Sequence, residues 1–127
     1  MLVLTRRPNE SILKSKAKPP TKAERAHMAA VKSLPCVACA SDWMPQLSLV
    51  EVHHVLSGNR RRGHLFVIPL CAWHHRGEPI DGWRANDMER AFGPSLARSS
   101  KRFHARYGTD NELLDRVYAA LAKRRAA

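Results

Sequence analysis

The sequence has no long hydrophobic run and no hydrophobic segment behind its first residues. A membrane-spanning helix needs roughly 18–20 consecutive apolar residues, and no stretch of this chain approaches that length. A secretory signal needs a basic start followed by an apolar core, which is also missing. We therefore expect a cytoplasmic protein without a membrane partner.

Cysteine is scarce as well. There are three cysteines, two of them in a Cys-x-x-Cys pair, which fits a reducing compartment and a bound metal better than a disulfide framework. The sequence has no internal repeats, and 44% of its residues are hydrophobic while 26% are charged. These proportions are typical of an ordinary globular protein.

Acidic residues are half as frequent as basic ones. The chain has 22 Lys and Arg against 11 Asp and Glu, which gives a formal net charge of +11. Such an excess indicates a polyanionic partner, most simply nucleic acid. The alternative is that the charge only aids solubility, but arginines flank a histidine cluster, and this favours nucleic acid.

The chain divides into a short terminal segment and one domain. Residues 1–19 are predicted to be a flexible basic segment, and residues 20–127 have the usual length of a single domain. The predicted elements are a helix from the Thr21 capping box to Pro35, a loop over 40–47, a strand over 48–56, a basic turn over 57–63, a return strand over 65–68, and a helix over 71–76 that Pro69 begins. Three more helices are predicted over 84–92, over 96–107 and after a second capping box at Thr109, the last with Leu114, Val117, Tyr118 and Leu121 on one face.

Two pairs of residues have the spacing of a zinc site. Cys36 and Cys39 can hold an ion on one tight turn, and Cys71 and His74 are separated by one helical turn, so that both can face the same ion. The four make a complete tetrahedral set and leave no cysteine over. Reduced structural cysteines are the alternative. Structural zinc is favoured, and it would pin the N-terminal helix against the strand–helix unit.

Histidines are concentrated in residues 51–75, which hold five of the seven. With His74 assigned to zinc, the remaining four are His53, His54, His64 and His75. A neutral imidazole can bind a divalent cation or act as a general base near neutral pH. Successive residues of a strand face opposite sides, so we expect one of His53 and His54 to bind metal while the other addresses water. A lone histidine would be structural, but this clustering indicates a catalytic site.

The segments VEVHHVLSGN and PLCAWHH resemble the HNH, or ββα-metal, nuclease motif. The resemblance extends to the phage recombination-enhancement nucleases of the Ref type, which are RecA-dependent, through PTKAERAHMAAVKSLPCVAC, EVHH, RRRGHLFVIPLCAWHHRG and FHARYGTDNELL. It implies an α+β fold, with a small zinc-stabilised ββα-metal core and flanking helices. It also implies a phage or prophage protein that works in the cytoplasm of a bacterial host.

The resemblance implies a role for most of the candidate residues. Structural zinc would be held by Cys36, Cys39, Cys71 and His74. His53 and His75 would bind the catalytic divalent cation, Mg²⁺ with Mn²⁺ as an alternative, and His54 would be the general base that activates water. The implied substrate is DNA, and the implied partner is a RecA filament on single-stranded DNA.

One position of the HNH pattern has no counterpart in this chain. The central Asn is missing, and the nearest candidate is His64, just before the predicted return strand. We expect His64 to be a third metal ligand or to orient His54, with a simple loop histidine as the alternative.

Arginines surround the histidines in the sequence. Arg60, Arg61 and Arg62 lie in the basic turn, and Arg76 follows the second histidine of the short helix. We expect them to hold the DNA backbone, which positions the substrate without reading its sequence. A solvated turn is the alternative for the triplet.

Two other functions compete with a nuclease. The first is a non-catalytic zinc module that binds DNA for a recombination complex. The second is an RNA-binding regulator, because MLVLTRRPNESI resembles the opening strand of the carbon storage regulator family, a likeness that ends at Leu13. The oligomeric state and the geometry of the DNA substrate stay open.

Overall fold

A computed structural model describes residues 18–126, which form a small mixture of helices and short strands. The helices are α1 (Lys22–Lys32), α2 (Val37–Ser41), α3 (Ala72–Arg76), α4 (Ala85–Phe92), α5 (Ser100–Tyr107) and α6 (Asp110–Ala126). The strands are β1 (Val50–His54), β2 (Leu56–Ser57), β3 (Arg60–Arg61) and β4 (Val67–Cys71). The predicted α+β class is confirmed. Predictions for residues 1–17, including the resemblance to carbon storage regulators, lie outside the described part.

Two antiparallel strand pairs form the β part of the fold. β1 pairs with β4 in a register that runs from Val50 opposite Cys71 to His54 opposite Val67. Between these two strands the chain turns through the β2–β3 hairpin. Gly58, with φ 65°, begins the two-residue hairpin loop, a position where a type II′ turn requires a left-handed backbone. β2 begins two residues after His54, so the hairpin extends beyond the end of β1 that carries the two histidines.

β4 lies at the centre of the core. All five of its residues are buried, because β1 pairs along it and α1, α2, α3 and α6 pack against it. The prediction that Pro69 begins a helix is wrong, since Pro69 lies within β4 opposite Val52 and the helix starts after Cys71. β1 pairs with one edge of β4. A proline, which has no backbone N–H to donate, is tolerated in such a strand when its nitrogen faces the opposite edge.

Other predicted boundaries are also shifted. The return strand, predicted over 65–68, covers Val67–Cys71, and the predicted loop over 40–47 contains the end of α2. The helix predicted from residue 96 begins at Ser100, because the hydroxyl of Ser99 accepts a hydrogen bond from the Arg102 N–H at 3.1 Å and caps it there. The predicted helices and the two paired strands occur in the predicted order, but α2 and the short strands β2 and β3 were not predicted.

Both predicted capping boxes are confirmed. Thr21 Oγ1 accepts from the Glu24 N–H at 3.1 Å, and Glu24 Oε1 accepts from the Thr21 N–H at 2.8 Å. Thr109 and Glu112 repeat the arrangement before α6 with the same two distances. Each box satisfies backbone donors that have no partner within the helix, which is why a four-residue motif predicts where a helix begins.

The C-terminal helices pack over the core with largely the predicted face. Leu113, Leu114, Val117 and Leu121 of α6 are buried. Tyr118, which was predicted on this face, is 37% exposed and instead donates its hydroxyl to the Leu65 carbonyl at 2.9 Å. Within residues 18–126, no helix combines the length and the apolar content that a membrane span would need.

Candidate functional site

The four predicted zinc ligands lie together in the core. Cys36 precedes α2 and Cys39 lies within it, whereas Cys71 ends β4 and His74 lies in α3. All four side chains are buried, and their ligand atoms lie within 4.8 Å of one another. The predicted Cys₃His cluster is therefore confirmed as a group, and it joins the N-terminal helices to the strand–helix unit.

Four of the six distances among these ligand atoms are close to those around a tetrahedral ion. Bonds of about 2.0–2.3 Å to an ion place the corners of a tetrahedron roughly 3.3–3.8 Å apart. The Cys39 and Cys71 sulfurs are 3.8 Å apart, and His74 Nδ1 lies 3.7, 3.6 and 3.2 Å from the sulfurs of Cys36, Cys39 and Cys71. Three thiolates with one imidazole are also a common donor set for structural zinc. The cluster can thus hold a structural Zn²⁺.

Local backbone geometry explains how each pair of ligands is presented. Cys36 is the N-cap of α2, and its sulfur accepts from the Cys39 N–H at 3.5 Å, which closes a tight turn. The Cys36 N–H in turn donates to the side chain of Gln46 at 2.8 Å. Cys71 is the N-cap of α3, so His74 follows it by one helical turn and faces the same side.

A hydrogen-bond network holds the His74 ring in place. Its Nε2–H donates to the Phe92 carbonyl at 2.9 Å, which leaves Nδ1 as the ligand atom. The Tyr107 hydroxyl lies 3.3 Å from the same Nε2 and donates to Asp42 at 2.9 Å. Gly93 is required beside them, because a Cβ there would lie 2.0 Å from the Tyr107 oxygen. None of these outer groups was predicted, since nothing in their local sequence connects them to the cluster.

Within the buried cluster, the pKa of Cys36 is lowered and that of His74 is raised. Hydrogen bonds from Cys39 and Cys71 lower the pKa of Cys36, which favours a thiolate at that position. Burial acts to lower the pKa of His74, but hydrogen bonds to Cys36 and Cys71 outweigh it and raise the value to about 10. A thiolate and an imidazolium can thus balance each other in the core. Binding of Zn²⁺ would release the imidazolium proton and the remaining thiol protons.

The structure also brings His53 and His75 together. Their rings meet edge to face with centroids 5.1 Å apart. Two imidazoles that bind one ion through bonds of about 2.1 Å have ring centres roughly 4.5–5.5 Å apart, so this pair can share a cation. Burial lowers the pKa of His53 to about 4, and the neighbouring His75 adds to the effect. His53 is therefore neutral near pH 7, as a metal ligand must be.

Glu51 was not predicted, and it fixes the orientation of His75. Its Oε1 accepts from His75 Nδ1–H at 2.7 Å, which leaves Nε2 free as a ligand atom. Arg76 donates to the two oxygens of the same carboxylate at 2.9 and 2.7 Å, and it holds the pKa of Glu51 below its ordinary value. Glu51 precedes His53 by two residues on β1, so both face the same side. That spacing was the sequence signal that could have identified it.

His54 has a separate partner. Its Nε2 lies 3.1 Å from His64 Nδ1, and His64 Nε2 in turn lies 3.3 Å from the Lys18 carbonyl oxygen. Burial lowers the pKa of His54, with repulsion from Arg61 as the next cause, so the neutral form prevails near pH 7. His53 and His54 are consecutive residues of β1 and project to opposite faces, and each one meets a second histidine.

The four predicted DNA-binding arginines differ in how free their guanidinium groups are. Arg60 and Arg61 are exposed on β3, and neither forms an ion pair with any residue from 18 to 126. Arg62 donates to the Asn111 side chain at 2.8 Å. Arg76 is engaged by Glu51 and lies 3.4 Å from Glu78. Arg60 and Arg61 are therefore the most available to a phosphate backbone.

Residues 20–122 match the family model described as "Recombination enhancement, RecA-dependent nuclease". The match covers most of the chain. It includes the Cys₃His cluster, both histidine pairs, Glu51 and the arginines of the hairpin.

We expect Cys36→Ser to lose zinc and stability together, because the change removes a ligand from a buried cluster. Wild-type protein should hold about one zinc per chain, as a Cys₃His set does. The free energy of unfolding of the variant should fall by about 3 kcal/mol or more, in the range of a lost structural metal. Elemental analysis and urea unfolding measure the two effects.

Ser95→Ala is a matched control, because Ser95 is a buried small polar residue outside the cluster whose hydroxyl has no partner among the described residues. Its zinc content should equal that of the wild type. The zinc assignment would be wrong if Cys36→Ser changed neither the bound zinc nor the unfolding free energy.

Proposed function

This chain belongs to the family of recombination-enhancement, RecA-dependent nucleases, and from that premise we propose that it is an HNH endonuclease that hydrolyses DNA phosphodiester bonds with the help of a divalent cation. The observation that carries the proposal is the pair of consecutive histidines on β1. His53 meets His75, and His54 meets His64. A pair that can bind a cation thus lies beside a pair that can move a proton, and metal-assisted hydrolysis requires both.

The order of the elements supports an HNH, or ββα-metal, core. Two antiparallel strands, β1 and β4, enclose the hairpin and lead directly into α3. The first strand carries His53 and His54, and the helix carries His74 and His75. Because His74 belongs to the Cys₃His cluster, a structural zinc would hold α3 against β4 and so position His75.

His53 and His75 would hold the catalytic cation. We propose Mg²⁺, with Mn²⁺ as the alternative; both ions also take water and phosphate oxygens as ligands. When bound there, the cation would polarise a non-bridging phosphate oxygen and stabilise the departing 3′ oxygen. Glu51 contributes by accepting a hydrogen bond from His75 Nδ1–H, which leaves the Nε2 lone pair of His75 available to the cation.

His54 would act as the general base. As a neutral imidazole it takes one proton from a water molecule, whose oxygen then attacks phosphorus in line with the departing 3′ oxygen. The bond from phosphorus to the 3′ oxygen breaks, and that oxygen takes a proton from solvent water, so the products carry a 5′ phosphate and a 3′ hydroxyl. Arg60 and Arg61 would hold the flanking DNA backbone, with Arg62 and Arg76 as further contacts.

We further propose that the DNA is presented by a RecA filament on a single strand, and that the gene is of phage or prophage origin. The family description supports the dependence on RecA. A non-catalytic zinc module that binds DNA is the second candidate. It is consistent with the net charge of +11 and the buried cluster, but it gives no role to the two histidine pairs.

His54→Ala should abolish cleavage while DNA binding is retained, because it removes the base but no phosphate contact. The rate should fall by roughly 10²–10⁴-fold, the usual contribution of a positioned general base. Labelled single-stranded and duplex DNA are incubated with Mg²⁺ or Mn²⁺, with and without RecA and ATP. His27→Ala is the control, since His27 lies in α1 outside both pairs.

Each lane of that assay decides one part of the proposal. Cleavage only in the presence of RecA and ATP would support filament dependence. Binding without cleavage under both metals, with and without RecA, would make the DNA-binding zinc module the better account.

Glu51→Ala should weaken Mn²⁺ binding by about 10–100-fold, the usual effect of losing a carboxylate that orients a ligating histidine. Calorimetric titration of the zinc-loaded protein with Mn²⁺ measures the affinity without DNA. Glu78→Ala is the matched control, because Glu78 also pairs with Arg76 but does not contact His75. Equal Mn²⁺ affinity in both variants would contradict the role of Glu51. A third variant, His75→Ala, should be folded but unable to bind the cation.

Removing Arg60 and Arg61 together should weaken DNA binding and reduce its salt dependence. The slope of log affinity against log salt should decrease by about 2 for duplex DNA, close to one per lost phosphate contact. The control is Lys123→Ala with Arg125→Ala, which removes the same charge about 20 Å along α6 from Asn111, the residue that contacts the hairpin. Equal slopes in the two double variants would show that the hairpin has no special part in binding.

A further inference from the structure

We propose that His64 is a positioning residue that fixes the tautomer of His54, so that His54 Nδ1 is the atom that takes the proton from water. The inference rests on the proposed nuclease and deepens it. It gives His64 one of the roles that the sequence left open, and it names the reacting nitrogen of His54.

The Lys18 backbone carbonyl sets the direction of the hydrogen bonds. A carbonyl oxygen can only accept, so the 3.3 Å contact requires that His64 Nε2 carry its hydrogen. A neutral imidazole has one N–H. His64 Nδ1 is therefore an acceptor, and its lone pair faces His54.

The same argument then applies to His54. Its Nε2 lies 3.1 Å from the His64 Nδ1 acceptor, so His54 Nε2 must donate. The single N–H of neutral His54 is thereby used, and the lone pair remains on Nδ1. The hydrogen bonds run from His54 to His64 to the Lys18 carbonyl, with the two rings at 79° to each other.

This arrangement matters in the proton transfer itself. When His54 Nδ1 gains a proton, the positive charge spreads over both ring nitrogens, and Nε2–H already points at an acceptor. No side chain has to turn during the step. His64 thus contributes orientation and stabilises the imidazolium, without touching water or phosphate.

The backbone around His64 holds it in position. Gly63, with φ 132°, precedes it, and the Phe66 N–H donates to the Gly63 carbonyl at 3.2 Å, which closes the turn between β3 and β4. The next residue of the chain, Leu65, is held through its carbonyl by the Tyr118 hydroxyl of α6. His64 is therefore fixed on both sides by contacts that do not involve the cluster.

Two substitutions test the role. His64→Leu removes the acceptor, and kcat should fall about 10–100-fold with KM little changed. His64→Asn offers a carbonyl oxygen bonded to Cγ, where His64 carries Nδ1, so it can accept from His54 Nε2–H. Asparagine should therefore restore kcat to within a few-fold of the wild type.

Nitrogen-15 NMR of the zinc-loaded protein, without added Mg²⁺ or DNA, tests the tautomer directly. His54 should be protonated at Nε2 in the wild type and in His64→Asn. In His64→Leu the preference should weaken toward the tautomer mixture of an unbonded neutral imidazole. Protonation of wild-type His54 at Nδ1 would refute the role by itself, even if a variant fails to fold.

The contradicting outcomes are distinct from failure of the nuclease proposal. Full activity in His64→Leu, an inactive but folded His64→Asn, or protonation of wild-type His54 at Nδ1 would overturn the role of His64 while the nuclease stands. Weaker Mn²⁺ binding in His64→Leu, matching that of His75→Ala, would make His64 a metal ligand instead. A wild type that never cuts DNA would refute the nuclease, and the NMR result would still decide the tautomer.

Discussion

The buried Cys₃His cluster joins α2 to the junction of β4 and α3. It connects chain segments that are 35 residues apart, from Cys39 to His74. An ion held there would fix the start of α3 against the end of β4. His75 follows His74 directly and lies about 100° further around the helix, so the cluster sets the direction in which His75 projects. The structural site and the candidate catalytic site are thus two sides of one short helix.

β1 divides the proposed chemistry between its two faces. Glu51 and His53 share one side, where Glu51 directs His75 toward a possible cation. His54 projects to the other side and meets His64. Under the proposed mechanism both groups act on one phosphate, since consecutive strand residues differ in direction but lie close along the chain.

Acidic residues are few, and those near the sites are held by arginine. Arg76 pairs with Glu51, and Arg106 pairs with Asp42 behind the cluster. Free carboxylates beside the site would repel a phosphate backbone, whereas neutralised ones can orient histidines without that cost. The candidate ligands are imidazoles, which carry no negative charge. This distribution fits a polyanionic substrate, as does the net charge of +11.

Features that depend on residues close together in the chain could be predicted from the sequence: the capping boxes at Thr21 and Thr109, the Cys-x-x-Cys and Cys-x-x-His spacings, and the order of strand, loop, strand and helix. Such features follow from the fixed geometry of single turns. The tertiary structure alone decided that Pro69 lies within a strand and that Tyr118 faces outward. It also supplied Glu51 as the partner of His75, 24 residues away, and it brought His64 beside His54, which was one of the alternatives that the sequence left open. Contacts of this kind depend on strand register and helix packing, which bring together atoms that no local pattern connects.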